Sequence, residues 1–326
     1  MNPGIDDVYA ARARIAPLVR ATPLRRSPVL SLRLGCPVWL KMETMTDVGA
    51  FKIRGAANKI LSLAEDERRA GVITVSSGNH GKAVAYVARH LGVRAVVCIS
   101  TLVPREKVEA LRTLGAEVVV HGDDQDEADA EARRLSDRQG LLFVSPFDDP
   151  QVIAGQGTIG LEMLEACPEL DTVVVQLSGG GLVSGVALAL KALKPDVRVV
   201  AVSSLHGAAM LESIRAGRIV PVEERPSIAD ALPGPIPADN RYTFEMCRRL
   251  VDDFVQVSDS EIAQAMAFIL RHEKCVVEGA AAAGVAHLLR GARPEGRRAV
   301  AAILTGDNIS TDRALEICGR AAQIDG

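Results

Sequence analysis

Short apolar runs rich in β-branched residues recur along the chain, each followed by a glycine- or proline-marked turn and then by a segment of helical period. Thr172 to Leu177, Ser178 to Gly181 and Val183 to Leu193 make one such unit of strand, glycine loop and helix. Continuous rather than alternating apolar runs suit strands buried on both faces, and a helix between successive strands makes them run parallel. The pattern therefore predicts an α/β fold with open parallel sheets.

The units can be followed one by one. Ala83, Val84, Val87 and Leu91 fall on one helical face, and Gly92 stops that helix. Ala95 to Ile99 is predicted as a buried strand, and Pro104 and Gly115 bracket the next helix. Glu117 to Val120 is a strand, Asp124 to Gln139 a polar helix and Leu141 to Val144 another strand. A second series begins near Thr172 and continues with a strand at Arg198 to Val202. Ser258-x-x-Glu261 is a capping box for a helix reaching about His272, and Ala299 to Leu304 closes the sheet pattern. Pro221 to Asn240 holds five prolines and is predicted as a loop-rich connector.

At 326 residues the chain exceeds what one core usually serves, so two domains are expected. A net charge of −3 gives no basic face for nucleic acid or an anionic membrane, and no apolar stretch is long enough to span a bilayer. The opening residues lack the basic segment and apolar run of a signal peptide, and nothing after Ile309 reads as an added module. Six scattered cysteines without a C-x-x-C pair read as reduced thiols in a cytoplasmic protein.

Four segments carry chemistry. In Gly49-Ala50-Phe51-Lys52-Ile53-Arg54-Gly55-Ala56 a lysine sits among apolar and small residues, where desolvation lowers its pKa and frees the amine as a nucleophile. Lysines are usually exposed, so alone it would read as a surface residue at a helix start. Ser76-Ser77-Gly78-Asn79-His80-Gly81 joins a strand to a helix, whose N-terminus favours an anion such as a substrate carboxylate. An ordinary tight turn would look the same, and His80 alone reads as a packing or capping residue. Ser178-Gly179-Gly180-Gly181-Leu182 offers successive backbone N–H groups to a phosphate. It is not a Walker loop, since no Gly-Lys-Ser/Thr follows, and no G-x-G-x-x-G accompanies it. Thr305-Gly306-Asp307-Asn308 follows the last apolar strand, at the carboxyl edge where open α/β sheets bind ligands.

Together and in this order, these segments resemble the fold-type II pyridoxal-phosphate enzymes, with a tryptophan-synthase-β-like fold, and within them the threonine dehydratase and serine racemase family. The likeness runs from Thr22-Pro23-Leu24 through Lys41 and Glu43 to the Thr305 loop, and is most specific at Phe51-Lys52-x-Arg54-Gly55-Ala56 and Ser76-Ser77-Gly78-Asn79-His80. The resemblance implies pyridoxal 5'-phosphate as cofactor, with Lys52 as Schiff-base lysine and Ser178, Gly179, Gly180, Gly181 and Leu182 as phosphate loop. Phe51 would pack near the cofactor ring, Asn79 would bond its 3′-oxygen, Thr305 its ring nitrogen, and Glu278 would lie near the ring. Ser76, Ser77, Gly78 and His80 would line the substrate carboxylate site. A large discontinuous domain of 1–46 and 147–326, a small domain of 47–146, a cofactor between them and a homodimer are the matching expectations.

The implied reaction is β-elimination, as in a dehydratase or ammonia-lyase of amino-acid catabolism, on a small hydroxy amino acid such as threonine or serine. Lys52 would be the general base, and Ser77, on the opposite face, the second acid/base of a racemase on the same scaffold. A non-catalytic binding protein is a third reading, against which Lys52 counts. Ala50, Lys82, Ser178 and Asp307 depart from the family's usual residues, and Ser203 replaces the glutamate of its metal-binding members. No metal site is expected, and the pattern is similar to the branch associated with hydroxyectoine utilisation.

Overall fold

The computed structural model describes residues 2–223, 225–291 and 298–324. Its ten strands are β1 (Leu24–Arg26), β2 (Val38–Met42), β3 (Val72–Val75), β4 (Ala95–Ile99), β5 (Glu117–Val120), β6 (Leu142–Phe143), β7 (Thr172–Gln176), β8 (Arg198–Ser204), β9 (Asp253–Val257) and β10 (Val300–Leu304). They form a six-stranded sheet of order β1-β2-β10-β7-β8-β9 and a four-stranded sheet of order β5-β4-β3-β6. The fold is α/β with two open sheets, parallel throughout except where β1 pairs antiparallel with β2.

The apolar runs explain the layering. In β7, Val174 packs with the helix Gly279–Leu289, whereas Val173 and Val175 pack with the helices Pro150–Ala166 and Gly181–Leu193. This two-residue alternation puts apolar side chains on both faces, so no polar face is left on the central strands. In the small sheet, Val72 packs with Ala83, Val84 and Val87 of the helix Asn79–Leu91, while Ile73 and Val75 pack with the helix Gln125–Gln139. No described helix is long and apolar enough to cross a membrane.

Several boundaries differ from the sequence expectations. β6 is only Leu142–Phe143, and the helix after the glycine loop begins at Gly181, which places Gly181 and Leu182 in its first turn. The Ser258–Glu261 capping box forms, but the α-helix ends at Phe268 and Ile269–Glu273 continues as a π turn. The edge strands β1 and β9, three and five residues long, had no apolar run to announce them.

The helix Lys52–Ser62 is anchored by a buried ionic cluster. Arg54 is 1% exposed and donates to Glu43 at 2.7 and 2.9 Å and to Glu162 at 2.6 and 2.8 Å. Lys41 donates to Glu162 and, at 2.6 Å, to the Thr22 carbonyl. Two cations thus face two carboxylates where β2 and the helices Lys52–Ser62 and Pro150–Ala166 meet.

Candidate active site

Lys52 opens its helix, and the preceding Phe51 N–H donates to the Thr305 carbonyl at 3.0 Å, tying that helix start to the end of β10. The Lys52 amine donates to the Pro146 carbonyl at 2.6 Å and stands 5.2 Å from the centre of the Phe51 ring. Burial lowers its pKa to about 8, with Glu278 pulling the other way.

The segment Val144 to Asp149 holds that acceptor in place. The Val144 carbonyl accepts from Thr74 Oγ1 at 2.9 Å and from His80 Nε2 at 3.0 Å. The Asp148 carboxylate accepts from the N–H groups of Arg241, Tyr242 and Thr243 at 2.7, 2.9 and 2.9 Å, capping the helix Thr243–Leu250. Asp149 caps the helix Pro150–Ala166 through the Gln151 and Val152 N–H groups and accepts from Lys59 at 2.7 Å. Sequence reasoning missed this junction. Its signal was Asp149-Pro150, an N-cap residue before a proline in the first helical position.

Ser178, Gly179, Gly180, Gly181 and Leu182 line one cleft with Phe51, Lys52, Phe147, Gln176 and Thr305. Gly180 has φ 88°, and a Cβ there would lie 2.8 Å from Cys247 Sγ. A Cβ on Gly179 would come within 2.4 Å of the Phe147 ring. The first N–H groups of the helix Gly181–Leu193 have no acceptor within the helix, and its dipole favours negative charge there. A loop that only glycine can form and a lysine amine of lowered pKa thus open on the same cleft. These residues fit a phosphate-bearing carbonyl cofactor. Gln176 was missed from sequence: its Nε2 donates to the Ala281 and Ile303 carbonyls at 3.0 and 2.8 Å, joining the helix Gly279–Leu289 to β10 beside Thr305.

Ser76 to Gly78 turn from β3 into the helix Asn79–Leu91, with the Gly78 N–H on Ser76 Oγ at 3.2 Å. The Ser77 hydroxyl makes no hydrogen bond among the described residues. The His80 side chain is 3% exposed and committed to Val144. A carbonyl only accepts, so Nε2 carries the proton and Nδ1 is buried with no partner among the described residues. Burial and the nearby Lys52 push His80 down to about 3, so the ring is neutral near pH 7.

A chain of polar groups reaches from Lys82 to Glu278. Lys82 Nζ donates to Asn308 Oδ1 at 2.6 Å, Asn308 Nδ2 donates to Asn79 Oδ1, and Asn79 Nδ2 donates to Glu278 Oε1 at 2.8 Å. Glu278 is 6% exposed; burial raises it to about 7 against the Asn79 hydrogen bond. Lys82, Asp307, Asn308 and Glu278 border a separate cavity of about 450 Å³. Two of the departing residues, Lys82 and Asp307, therefore lie there and not among the residues lining the cleft of Lys52. Ser203 is buried at the end of β8, and among the described residues no three His, Cys, Asp or Glu side chains are placed to hold a metal ion.

Known proteins share this sequence and architecture. An L-threonine ammonia-lyase of Thermotoga maritima is 42% identical over 94% of this chain and 76% of its own. A catabolic L-threonine dehydratase of Escherichia coli K12 is 38% identical over 97% of this chain and 96% of its own. The solved structure of maize serine racemase superposes with a TM-score of 0.91 at 33% identity, covering 100% of this chain and 99% of that one. The family described as pyridoxal-phosphate dependent enzyme matches residues 15–306, and with Lys52 and the glycine loop sharing one cleft, the chain belongs to that family.

Proposed function

We propose that this protein is an ammonia-lyase that removes the β-hydroxyl and amino groups of a small hydroxy amino acid, giving a keto acid and ammonia. It is a pyridoxal-phosphate-dependent lyase, and the observation that carries the reading is the Lys52 amine in one cleft with the glycine phosphate seat. The threonine-cleaving relatives support the reaction class. Bound pyridoxal phosphate supplies an electron sink conjugated to the substrate's amino group. Ser178 to Leu182 and the helix dipole behind them bind its phosphate. Phe51 packs near its ring, and Thr305, Asn79 and Glu278 meet the ring's polar atoms. Lys52, with its basicity lowered, would hold the cofactor and serve as the base for the proton on the substrate's α-carbon. Ser76, Ser77, Gly78 and the backbone at His80 receive the substrate carboxylate at the start of the helix Asn79–Leu91. Domains of 1–46 with 147–326 and of 47–146, closing on the cofactor, a homodimer and a cytoplasmic location complete the reading.

Borohydride reduction and peptide mapping should place the cofactor label on the peptide containing Lys52; a label elsewhere, or none, sinks the assignment. The finer proposal is a substrate larger than threonine, with hydroxyectoine or its ring-opened product as first candidates, motivated by the joint departures at Ala50, Lys82, Ser178 and Asp307. It expects kcat/KM on L-threonine and L-serine to fall below that on the larger compounds. Threonine turnover at about 10⁴ M⁻¹s⁻¹ or better, with the larger compounds ignored, would mark a plain threonine dehydratase. A racemase needs an acid/base opposite Lys52, and the Ser77 hydroxyl, without a partner among the described residues, is the candidate. Ser77→Ala should abolish any racemisation while sparing part of the elimination.

A further inference from the structure

The amide of Asn79 has two ends of opposite hydrogen-bonding character, and which one faces Glu278 is decided at a distance. Lys82 is an ammonium with donors only. Its bond to Asn308 Oδ1 at 2.6 Å fixes that oxygen toward Lys82 and turns Asn308 Nδ2 the other way. There it donates to the Val48 carbonyl at 3.1 Å and to Asn79 Oδ1. The Asn79 oxygen is thereby occupied, so Nδ2 points to Glu278 and donates to Oε1 at 2.8 Å. One amide hydrogen of Asn79 is then left over. Each bond in the chain runs in one direction, and two groups cannot reverse: Lys82, which only donates, and the Val48 carbonyl, which only accepts.

We infer that Lys82 is a positioning residue: through Asn308 it sets the amide orientation of Asn79, so that Asn79 can offer a ligand only a hydrogen-bond donor. The ligand atom it meets is then an acceptor, such as a phenolate-type oxygen, and not a hydroxyl that must donate. Without Lys82, Asn308 keeps only the Val48 carbonyl and Asn79 to orient it, so both amides turn more freely, and the Asn79 oxygen can face the Glu278 carboxyl once that group holds a proton. The inference rests on the cofactor site proposed above, and it deepens that site by adding Lys82 and Asn308 to it. Lys82 borders the second cavity, so its effect on the cleft passes through Asn308 and Asn79.

The test uses Lys82→Met, Lys82→Arg and Asn308→Asp with two readouts. In cofactor-free protein labelled with ¹⁵N-asparagine, the Asn79 side-chain amide protons should exchange with solvent at least about tenfold faster in Lys82→Met than in the wild type, as expected for a lost charge-assisted hydrogen bond. By the same reasoning the dissociation constant for pyridoxal phosphate should rise about tenfold in Lys82→Met. Lys82→Arg, which keeps a group of donors only, should stay within about threefold of wild type in both readouts. Asn308→Asp keeps the partner of Lys82 but cannot donate to Asn79, so it should match Lys82→Met, and the double variant should be no worse than either. Equal Asn79 exchange in wild type and Lys82→Met overturns the inference whatever the cofactor does. Lys82→Arg as defective as Lys82→Met also overturns it, because a donors-only group at position 82 would then not set the amides. If wild type fails to bind pyridoxal phosphate while the exchange difference holds, the cofactor reading falls and the orientation stands.

Discussion

Glu278 shows how burial sets the state of a single group. Its carboxyl is raised from an ordinary 4.5 to about 7, by desolvation first and by Asp230 and Asp307 after it, while Asn79 and Lys82 resist. Between those two values the folded protein holds a proton that the unfolded chain has released, so stability falls as pH rises through that window. Glu278→Gln keeps an acceptor for Asn79 and removes the titration. Its stability relative to wild type should therefore increase by about 2–3 kcal/mol from pH 5 to pH 8, at 1.36 kcal/mol per pKa unit. Urea titrations at the two pH values measure it, and a flat difference would mean that Glu278 stays ionised in the folded protein. The same side chain was assigned from sequence only through the family likeness. Its neighbours Asn79, Lys82 and Asn308 lie far from it along the chain, and no local pattern joins them.

At the scale of elements, the legible parts of the site are the strand-to-helix junctions. Lys52, Ser76 to His80 and Ser178 to Leu182 each sit where a glycine or a small residue interrupts an apolar run, and those interruptions can be read. Val144 to Asp149 stayed hidden because two of its working groups are the carbonyls of Val144 and Pro146, and every residue type carries a carbonyl. What holds those carbonyls in place is capping. Asp148 accepts three N–H groups at the start of the helix Thr243–Leu250, and Cys247 and Thr243 of that helix lie against Gly180 of the glycine loop. Asp148→Ala takes a carboxylate acceptor from three N–H groups and should cost about 1–2 kcal/mol, the size of a lost cap, and Asp148→Asn should recover part of it. Cofactor affinity should drop in Asp148→Ala more than in a variant of equal stability loss at the far side of the small sheet, such as Ala132→Gly. Equal affinities at matched stability would show that the cap serves the fold alone.

The whole molecule turns on how its two sheets are held about one helix. Phe51-Lys52-x-Arg54-Gly55-Ala56 was read from sequence as a lysine amid residues small enough to desolvate it, and the small residues prove to have a second purpose. A Cβ on Gly55 would lie 2.5 Å from Gln156 Nε2, and one on Gly155 would lie 2.6 Å from the Arg54 carbonyl, so the helices Lys52–Ser62 and Pro150–Ala166 touch backbone to backbone. That approach brings Arg54 onto Glu43 and Glu162 with almost no water present. Two residues apart, Lys52 and Arg54 point to different tasks, and substitution should separate them. Arg54→Met leaves two carboxylates with Lys41 as their one remaining cation among the described residues, beside the Thr22 hydroxyl and N–H. A loss of about 3–5 kcal/mol follows, the range for a buried pair broken from one side. Lys52→Ala removes a half-buried amine whose one hydrogen bond is to a carbonyl, and should leave the thermal midpoint close to wild type while abolishing covalent cofactor attachment. Thermal melts of both variants decide it. If Arg54→Met melts with wild type, the cluster is solvated or rearranges freely; the helix that presents Lys52 is then held by close packing at Gly55 and Gly155 alone.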